Sequence, residues 1–181
     1  MPALPPAVAA TGDALRAVLR EVPTPVAVVT TQTSDGPRGA TIGSFTSVSL
    51  APPIVSFSVT RATRLHEALA GASGWAIHLL AETQAGLADH FAAPDLAGLD
   101  QLAPFPHVAP EDGPPLLRDT LGVLRCRPHA VVEAGDHSVF FGRVEDIVHG
   151  AGTAPLLYYR QSYRGVGGTA PGRSVGISAP S

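Results

Sequence analysis

A hydroxyl-rich stretch occupies residues 39–55 and has the sequence GATIGSFTSVSLAPPIV. Five of the nine residues from Thr41 to Ser49 carry a hydroxyl group, and an apolar run follows the two prolines. In an extended strand Ser47 and Ser49 share one face while Thr46 takes the other, so no single face presents every hydroxyl. The stretch predicts a strand whose backbone and small side chains stay accessible to a flat ligand. An edge strand with solvated hydroxyls is the alternative.

Short apolar runs, separated by glycine and proline, lie on both sides of this stretch. Their β-branched content predicts strands over residues 26–31, 38–42, 47–50, 54–60, 74–80, 121–127, 130–134, 137–147 and 156–159. Helical spacing predicts short helices over residues 14–21, 64–70 and 84–91, with Asp13 and Thr63 capping the first two. Many short strands with two or three short helices predict a mainly β fold. We expect a small barrel rather than a doubly wound parallel sheet.

A chain of 181 residues favours one domain. We assign that domain to residues 12–164, between an N-terminal segment, residues 1–11, and a C-terminal tail, residues 165–181. Both ends are rich in small residues and proline and are expected to be flexible. Residues 92–115 are also rich in proline and predict a long irregular excursion, a kind of loop that usually serves a site or an interface.

The formal net charge of -3 argues against nucleic acid or an anionic membrane as a partner. All twelve basic residues are arginine, so every fixed cation available to a phosphate is a guanidinium. The single cysteine, Cys126, excludes an intrachain disulfide and a zinc site of several cysteines. The histidines show no metal-ligand spacing, so no metal site is expected. With no secretory signal and no apolar run long enough for a membrane span, a cytoplasmic location is expected.

Residues 56–64, with the sequence SFSVTRATR, combine a helix start with two cations. A helix that begins near Thr63 presents free N–H groups, and Arg61 and Arg64 add guanidinium groups that grip phosphate. The segment therefore predicts a phosphate site. An ordinary helix cap beside two solvated arginines is the alternative.

The tripeptide Gly135-Asp136-His137 predicts a tight turn between two strands, since glycine at the first central position suits a type II′ hairpin. His137 then lies at the rim of a pocket, where it hydrogen-bonds an incoming ligand, or else it is a surface imidazole in a plain turn. Together with the hydroxyl-rich stretch, this turn indicates a flavin site. A flavin ring needs backbone N–H and C=O groups beside small residues such as Gly43 and Ser44, and Thr46 and Ser47 suit the ribityl chain and phosphate.

Four segments occur in an order that resembles the short-chain flavin reductase family, the reductase halves of two-component flavin-dependent monooxygenases. They are residues 22–31 (VPTPVAVVTT), residues 44–53 (SFTSVSLAPP), Gly135-Asp136-His137 with Gly142, and residues 155–160 (PLLYYR). Each segment alone is weak, but the ordered set is specific, and the resemblance spans residues 15 to 164.

The resemblance implies an FMN-binding split β-barrel that is usually a homodimer. It also implies FMN or FAD as the flavin, NADH or NADPH as the hydride donor, and a separate monooxygenase that receives the reduced flavin. By this resemblance His137 lies near the nicotinamide and is the candidate catalytic residue. The residues assigned to flavin binding are Thr41, Gly43, Ser44, Phe45, Thr46, Ser47, Ser58, Arg61, Thr63, Arg64 and Tyr163.

Two positions depart from the family pattern. Gly43 stands where the family often has asparagine or serine, which removes one donor near the ring. Gln161-Ser162 replaces a more usual Gly-Arg before Tyr163, which removes a cation that would meet the nicotinamide nucleotide's phosphates.

From the resemblance, the expected function is an NAD(P)H:flavin oxidoreductase, with two alternatives. One is a flavin or haem carrier without NADH turnover, and the other is a biosynthetic enzyme that uses a bound flavin on a specific metabolite.

Overall fold

The computed structural model describes residues 6–93, 101–151 and 154–166. Within these ranges the protein is mainly β with three short α-helices, as predicted. The helices are α1 (Gly12–Leu19), α2 (Arg64–Ala70) and α3 (Ala85–Ala92). The strands are β1 (Thr24–Pro25), β2 (Ala27–Thr33), β3 (Gly36–Ile42), β4 (Thr46–Leu50), β5 (Pro53–Thr60), β6 (Trp75–Leu79), β7 (His107–Val108), β8 (Leu116–Leu117), β9 (Gly122–Ala134), β10 (His137–His149), β11 (Leu157–Tyr159) and β12 (Ser162–Arg164).

Seven of these strands form one antiparallel sheet in the order β3-β2-β6-β9-β10-β5-β4, so β3 and β4 are its two end strands. A smaller sheet joins β1, β11 and β12, and β7 pairs with β8. None of the described helices is long and apolar enough to cross a membrane.

The core lies on both faces of the large sheet, and β2 shows why. Its alternate residues face opposite sides: Val29 packs in a cluster around Trp75 and Phe140, while Val28 packs in a second cluster with Phe91 of α3. In the first cluster the rings of Phe57 and Phe140 stack at 5.6 Å between centroids, and the ring of Trp75 meets Phe57 edge-on at 5.8 Å. Burial on both faces explains why consecutive residues of β2, from Ala27 to Thr31, are all buried, the first three of them apolar.

The helix starts follow local capping. Thr63 caps α2 as predicted, and its hydroxyl accepts a hydrogen bond from the backbone N–H of His66 at 3.3 Å. The first helix is capped by Thr11, whose hydroxyl accepts from Ala14 N–H at 3.2 Å, so the prediction of Asp13 as its cap was wrong. A short 3₁₀ turn at Glu82–Gln84 precedes α3.

The sequence did not predict the two-residue strands β1, β7 and β8 or the strand β12, and it divided one strand into two. The predicted strands 121–127 and 130–134 are one strand, β9, that continues through Pro128. Pro128 lies beyond the part of β9 that pairs with β6, next to a register shift in the pairing with β10, so its missing N–H interrupts no regular ladder on that side. The strand β12 follows a tight turn at Arg160 and Gln161 with φ of 48° and 61°. Such a left-handed turn usually carries glycine or asparagine, so no residue of the usual type marks this turn in the sequence.

The hairpin between β9 and β10 agrees with the prediction. Gly135 has φ of 62°, whereas Asp136 is not among the positive-φ residues, as a type II′ turn requires. The flexible segments predicted at 1–11 and 165–181 fall partly outside the described residues, and so does part of the 92–115 excursion. The described part of that excursion includes β7 and the buried residues Gln101 and Leu102.

Candidate active site

A cleft of about 1100 Å³ is lined along β3, which is an end strand of the large sheet among the described residues. The remaining walls come from the end of β5, the start of α2, the end of α3 and the start of β10. The lining residues are 38–44, 58–60, 62–65, 91–93, 101 and 137. The volume lies just above the range of about 300–1,000 Å³ that is usual for small-molecule sites.

One end of the cleft is fixed by Gln101, which is only 5% exposed. Its carboxamide accepts a hydrogen bond from Gly39 N–H at 3.0 Å and donates one to the Gly39 carbonyl oxygen at 2.6 Å. Gly39 also lies close to Phe91, because a Cβ at this position would come within 2.9 Å of the ring. The clamp and this close packing hold β3 against α3 and against the segment that begins at residue 101.

The hydroxyl groups of Thr41 and Ser44 form hydrogen bonds with backbone groups of the protein. Thr41 donates to the Ala88 carbonyl oxygen of α3 at 2.7 Å. Ser44 accepts from Ser58 N–H at 2.9 Å and donates to the Ser58 carbonyl oxygen at 3.2 Å. These side chains therefore shape the wall of the cleft, and residues 43–44 present mainly backbone to it.

The local structure explains why position 43 is a glycine. A Cβ at this position would lie 3.3 Å from the hydroxyl oxygen of Thr24, a contact tighter than side chains normally make. The larger residue that the family often carries here would therefore need Thr24 to move. In this chain, glycine allows β1 to approach the end of β3.

Two arginines line the cleft, Arg38 on β3 and Arg64 at the start of α2. None of the ion pairs among the described residues involves either of them. Arg61, in contrast, pairs with Glu133 at 3.2 Å and does not line the cleft. Judged from the residues that the structure describes, the cleft carries positive charge that no acidic side chain pairs with, which suits an anionic ligand such as a phosphate ester.

His137 lies at the rim between two hydrogen-bond partners. Its Nδ1 lies 2.7 Å from a carboxylate oxygen of Asp136, and its Nε2 lies 3.1 Å from the hydroxyl oxygen of Thr60. The hydrogen bond from His137 lowers the pKa of Asp136, and the charge of the imidazole adds to the effect. Asp136 is therefore ionised and fixes a proton on Nδ1. In the part of the chain that the structure describes, no cluster of three or more histidine, cysteine or acidic residues is arranged to hold a metal ion.

Residues 19–167 match the family model of the flavin reductase like domain. The chain belongs to this family. Like the resemblance in the sequence, the match covers both the hydroxyl-rich stretch and the Gly135-Asp136-His137 turn.

Named relatives of this flavin reductase family member are reductases as well. The reductase component of 4-hydroxyphenylacetate 3-monooxygenase from Thermus thermophilus is 34% identical over 152 residues, which covers 84% of this chain and 95% of the relative. The NADH:FMN oxidoreductase of Rhodococcus erythropolis is 37% identical over 154 residues, covering 82% and 78% of the two chains. The solved NADH:FAD oxidoreductase of Streptomyces globisporus, in complex with NAD and FAD fragments, is 35% identical with a TM-score of 0.77, covering 87% of this chain and 92% of that one.

The cleft is lined by seven of the twelve site residues predicted from the sequence. They are Thr41, Gly43, Ser44, Ser58, Thr63, Arg64 and His137. The other five do not line the cleft. Phe45 packs against the Trp75 cluster, Thr46 and Ser47 are exposed on β4, and Arg61 pairs with Glu133. Tyr163 packs against the second core cluster, where burial and the nearby charge of Asp89 raise its pKa.

The sequence reading missed three polar lining residues: Arg38, Thr60 and Gln101. Arg38 directly precedes the quoted stretch, so its position beside a predicted flavin site was a usable signal. Thr60 meets His137 through the register of β5 and β10, and Gln101 meets Gly39 across 62 residues. Neither contact has a local signature.

Proposed function

We propose that this protein is an NAD(P)H-dependent flavin reductase that reduces FMN or FAD and supplies the reduced flavin to a separate monooxygenase. One observation carries the proposal. A single cleft joins the backbone of residues 43–44, His137, and the guanidinium of Arg64, which forms no ion pair with the described residues. The printed names of the relatives, which include NADH:FMN oxidoreductase and NADH-dependent FAD reductase, support the same function.

Size and lining agree with a flavin and a nicotinamide bound together. The cleft of about 1100 Å³ is larger than a site for one small molecule usually is. Its lining includes the apolar residues Ile42, Val59 and Leu65, which suit flat aromatic rings and exclude water from them. We assign the flavin ring to the backbone of residues 43–44 and the flavin phosphate to Arg64 and Thr63.

The protein acts by position and charge. In flavin reduction a hydride passes from nicotinamide C4 to flavin N5, and the two ligands supply this chemistry themselves. The cleft has to hold the two rings face to face at roughly 3–3.5 Å. Ser44 and Gln101 fix the walls that set this spacing, and Arg64 neutralises the flavin phosphate. No general base is needed, so the reaction does not require a carboxylate pair in the cleft.

The proposal extends to architecture and assembly. We propose that the large sheet, with end strands β3 and β4, corresponds to the split barrel of the family, and that the protein is a homodimer. Exposed apolar residues on α1, among them Leu15 and Val18, are compatible with a buried surface in a dimer. A cytoplasmic location fits a chain whose one cysteine, Cys126, is free and buried.

Steady-state NADH oxidation tests the function. Purified protein is mixed with NADH and with FMN, FAD or no flavin, and the loss of NADH absorbance is followed. We expect flavin-dependent oxidation well above the rate without protein. Flavin that binds tightly without any turnover would instead favour a carrier, and the absence of both binding and turnover would reject the proposal. Repeating the assay with NADPH identifies the preferred donor.

A further inference from the structure

Thr60 connects His137 to the cleft. It is the last residue of β5, it lies opposite His137 in the pairing of β5 with β10, and it lines the cleft itself. Its hydroxyl oxygen lies 3.1 Å from Nε2 of His137, the nitrogen that Asp136 does not engage. Both ring nitrogens of His137 therefore have partners within the protein, and Thr60 is the member of this group with a hydroxyl at the cleft.

The hydrogen-bond direction depends on the charge of His137. Asp136 only accepts, so it keeps a proton on Nδ1 in either state. In the neutral imidazole Nε2 is an acceptor, and the Thr60 hydroxyl donates its hydrogen bond to it. In the imidazolium Nε2 donates to the Thr60 oxygen, so the Thr60 hydroxyl no longer donates to His137. Thr60 can then donate to a group in the cleft, whereas before it could only accept.

We infer that Thr60 is the residue that hydrogen-bonds the carboxamide of the nicotinamide ligand, and that protonation of His137 switches Thr60 from acceptor to donor. The inference rests on the proposed function, because it assigns a contact to the nicotinamide substrate. A carboxamide suits both states, since its N–H donates to the neutral arrangement and its C=O accepts from the protonated one. Thr60 is thus a specificity-determining residue, and His137 acts through it.

Several other charged or titratable groups surround this site. Asp136 is ionised, Arg61 on the β5–α2 connection pairs with Glu133 of β9, and Arg64 lies at the start of α2. His66 of α2 lies 2.9 Å from the hydroxyl of Ser138, next to His137 in β10. His66 is the other imidazole close enough to confuse a pH profile, so a His66 variant is the necessary control.

A nicotinamide analogue separates the two states. In 3-acetylpyridine adenine dinucleotide the carboxamide is replaced by an acetyl group, which accepts hydrogen bonds but donates none. Binding of oxidised NAD and of the oxidised analogue is measured by ligand-observed NMR titration with the flavin-saturated protein between mildly acid and mildly alkaline pH. We expect the affinity of the analogue relative to NAD to improve by about threefold to tenfold on acidification, the effect of one neutral hydrogen bond.

Four variants complete the experiment. Thr60→Ser keeps the hydroxyl and should keep the pH dependence of the affinity ratio, whereas Thr60→Val keeps the shape and should abolish it. His137→Gln should abolish it as well, and His66→Gln should retain it. Circular dichroism checks that each variant is folded.

The inference is overturned if Thr60→Val keeps the wild-type pH dependence of the affinity ratio, or if the ratio of the wild type does not change with pH. Normal flavin-dependent NADH oxidation in the same protein would leave the proposed function intact. Loss of the dependence in His66→Gln also overturns it, because the titrating group is then His66. If neither dinucleotide binds and no NADH is oxidised, both the inference and the proposed function fail.

Discussion

The Ser44 hydroxyl bridges both backbone groups of Ser58, accepting from its N–H at 2.9 Å and donating to its carbonyl oxygen at 3.2 Å. The regular pairing of β4 with β5 begins at Thr46 and Ser56, and Ser44 lies just before the first residue of β4. Its side chain therefore supplies the hydrogen bonds that a paired strand would make with the backbone of Ser58. It fixes the turn at residues 43–44 that we assign to the flavin ring.

Removal of the hydrogen bonds between Ser44 and Ser58 should therefore weaken flavin binding without changing the contacts of the flavin phosphate. We expect Ser44→Ala to weaken riboflavin and FMN binding by a similar factor, about fivefold, the effect of losing about 1 kcal/mol of hydrogen bonding. Flavin fluorescence titration measures both affinities. Ser47→Ala is the matched control, since Ser47 is exposed on β4 outside the cleft. Equal effects of the two substitutions would show that Ser44 has no special place at the site.

The phosphate assignment separates two arginines that lie three residues apart. Arg64→Gln should weaken FMN binding by about tenfold or more, because a charge-assisted hydrogen bond contributes about 1.5–3 kcal/mol. Riboflavin, which lacks the phosphate, should bind Arg64→Gln and the wild type alike. Arg61→Gln should change FMN affinity little, since Arg61 pairs with Glu133 outside the cleft. An FMN affinity that depends on Arg61 and not on Arg64 would reverse the assignment.

His137 provides the matching test on the nicotinamide side. His137→Ala removes the imidazole that engages Thr60, so we expect a higher KM for NADH and an unchanged dissociation constant for FMN. Steady-state kinetics at saturating flavin gives the first quantity, and fluorescence titration without NADH gives the second. Weaker FMN binding with an unchanged KM for NADH would place His137 on the flavin side instead.

The fold was largely predictable because its signals are local. Thr63 capped the α2 helix with the predicted bounds, and Gly135 gave the β9–β10 turn. The β12 strand was not predicted because the turn before it, at Arg160 and Gln161, has a left-handed backbone without glycine. The predicted break in β9 failed because Pro128 is tolerated beside a register shift.

The site was predictable only where its residues are close in sequence. Gly43, Ser44 and Arg64 lie in motifs that can be recognised before the fold is known. Thr60 and Gln101 enter through contacts with His137 and Gly39 over 77 and 62 residues. Such pairs depend on strand register and on the path of a proline-rich segment, and no local pattern specifies either.

The Gln101 clamp is expected to stabilise the whole domain. Gln101→Leu keeps the approximate size but leaves the buried N–H and C=O of Gly39 without their partner. Each unsatisfied buried group costs about 1–3 kcal/mol, so we expect the free energy of unfolding to fall by about 2–6 kcal/mol for the two groups. Urea denaturation measures the change. A loss below about 0.5 kcal/mol, the size of a typical surface substitution, would show that water replaces the clamp.

His78 should make stability depend on pH. Its Nδ1 donates to the Val28 carbonyl oxygen at 3.0 Å, its Nε2 has no hydrogen-bond partner among the described residues, and burial lowers its pKa to about 4. The ordinary value is about 6.5, so below that pH the unfolded chain binds a proton that the folded protein rejects. Folding stability is then fully present above pH 6.5 and falls by about 3 kcal/mol as the pH drops to about 4.

A His78→Asn variant isolates this contribution. Asparagine keeps a donor near the Nδ1 position and does not titrate, so the variant should lose less stability between neutral and acid pH than the wild type. Urea midpoints at several pH values give both slopes, and their difference removes the contribution of the carboxylates. Parallel slopes would mean that His78 is protonated in the folded protein.

We propose that one cleft binds both a flavin and the nicotinamide that reduces it. The visible spectrum of the protein with stoichiometric FMN or FAD, recorded without oxygen before and after NADH is added, tests both parts at once. We expect the bound flavin to give a perturbed spectrum, to be bleached rapidly by NADH, and to recover its colour in air. A protein that binds neither flavin at micromolar concentration, or a bound flavin that NADH does not bleach, would contradict it.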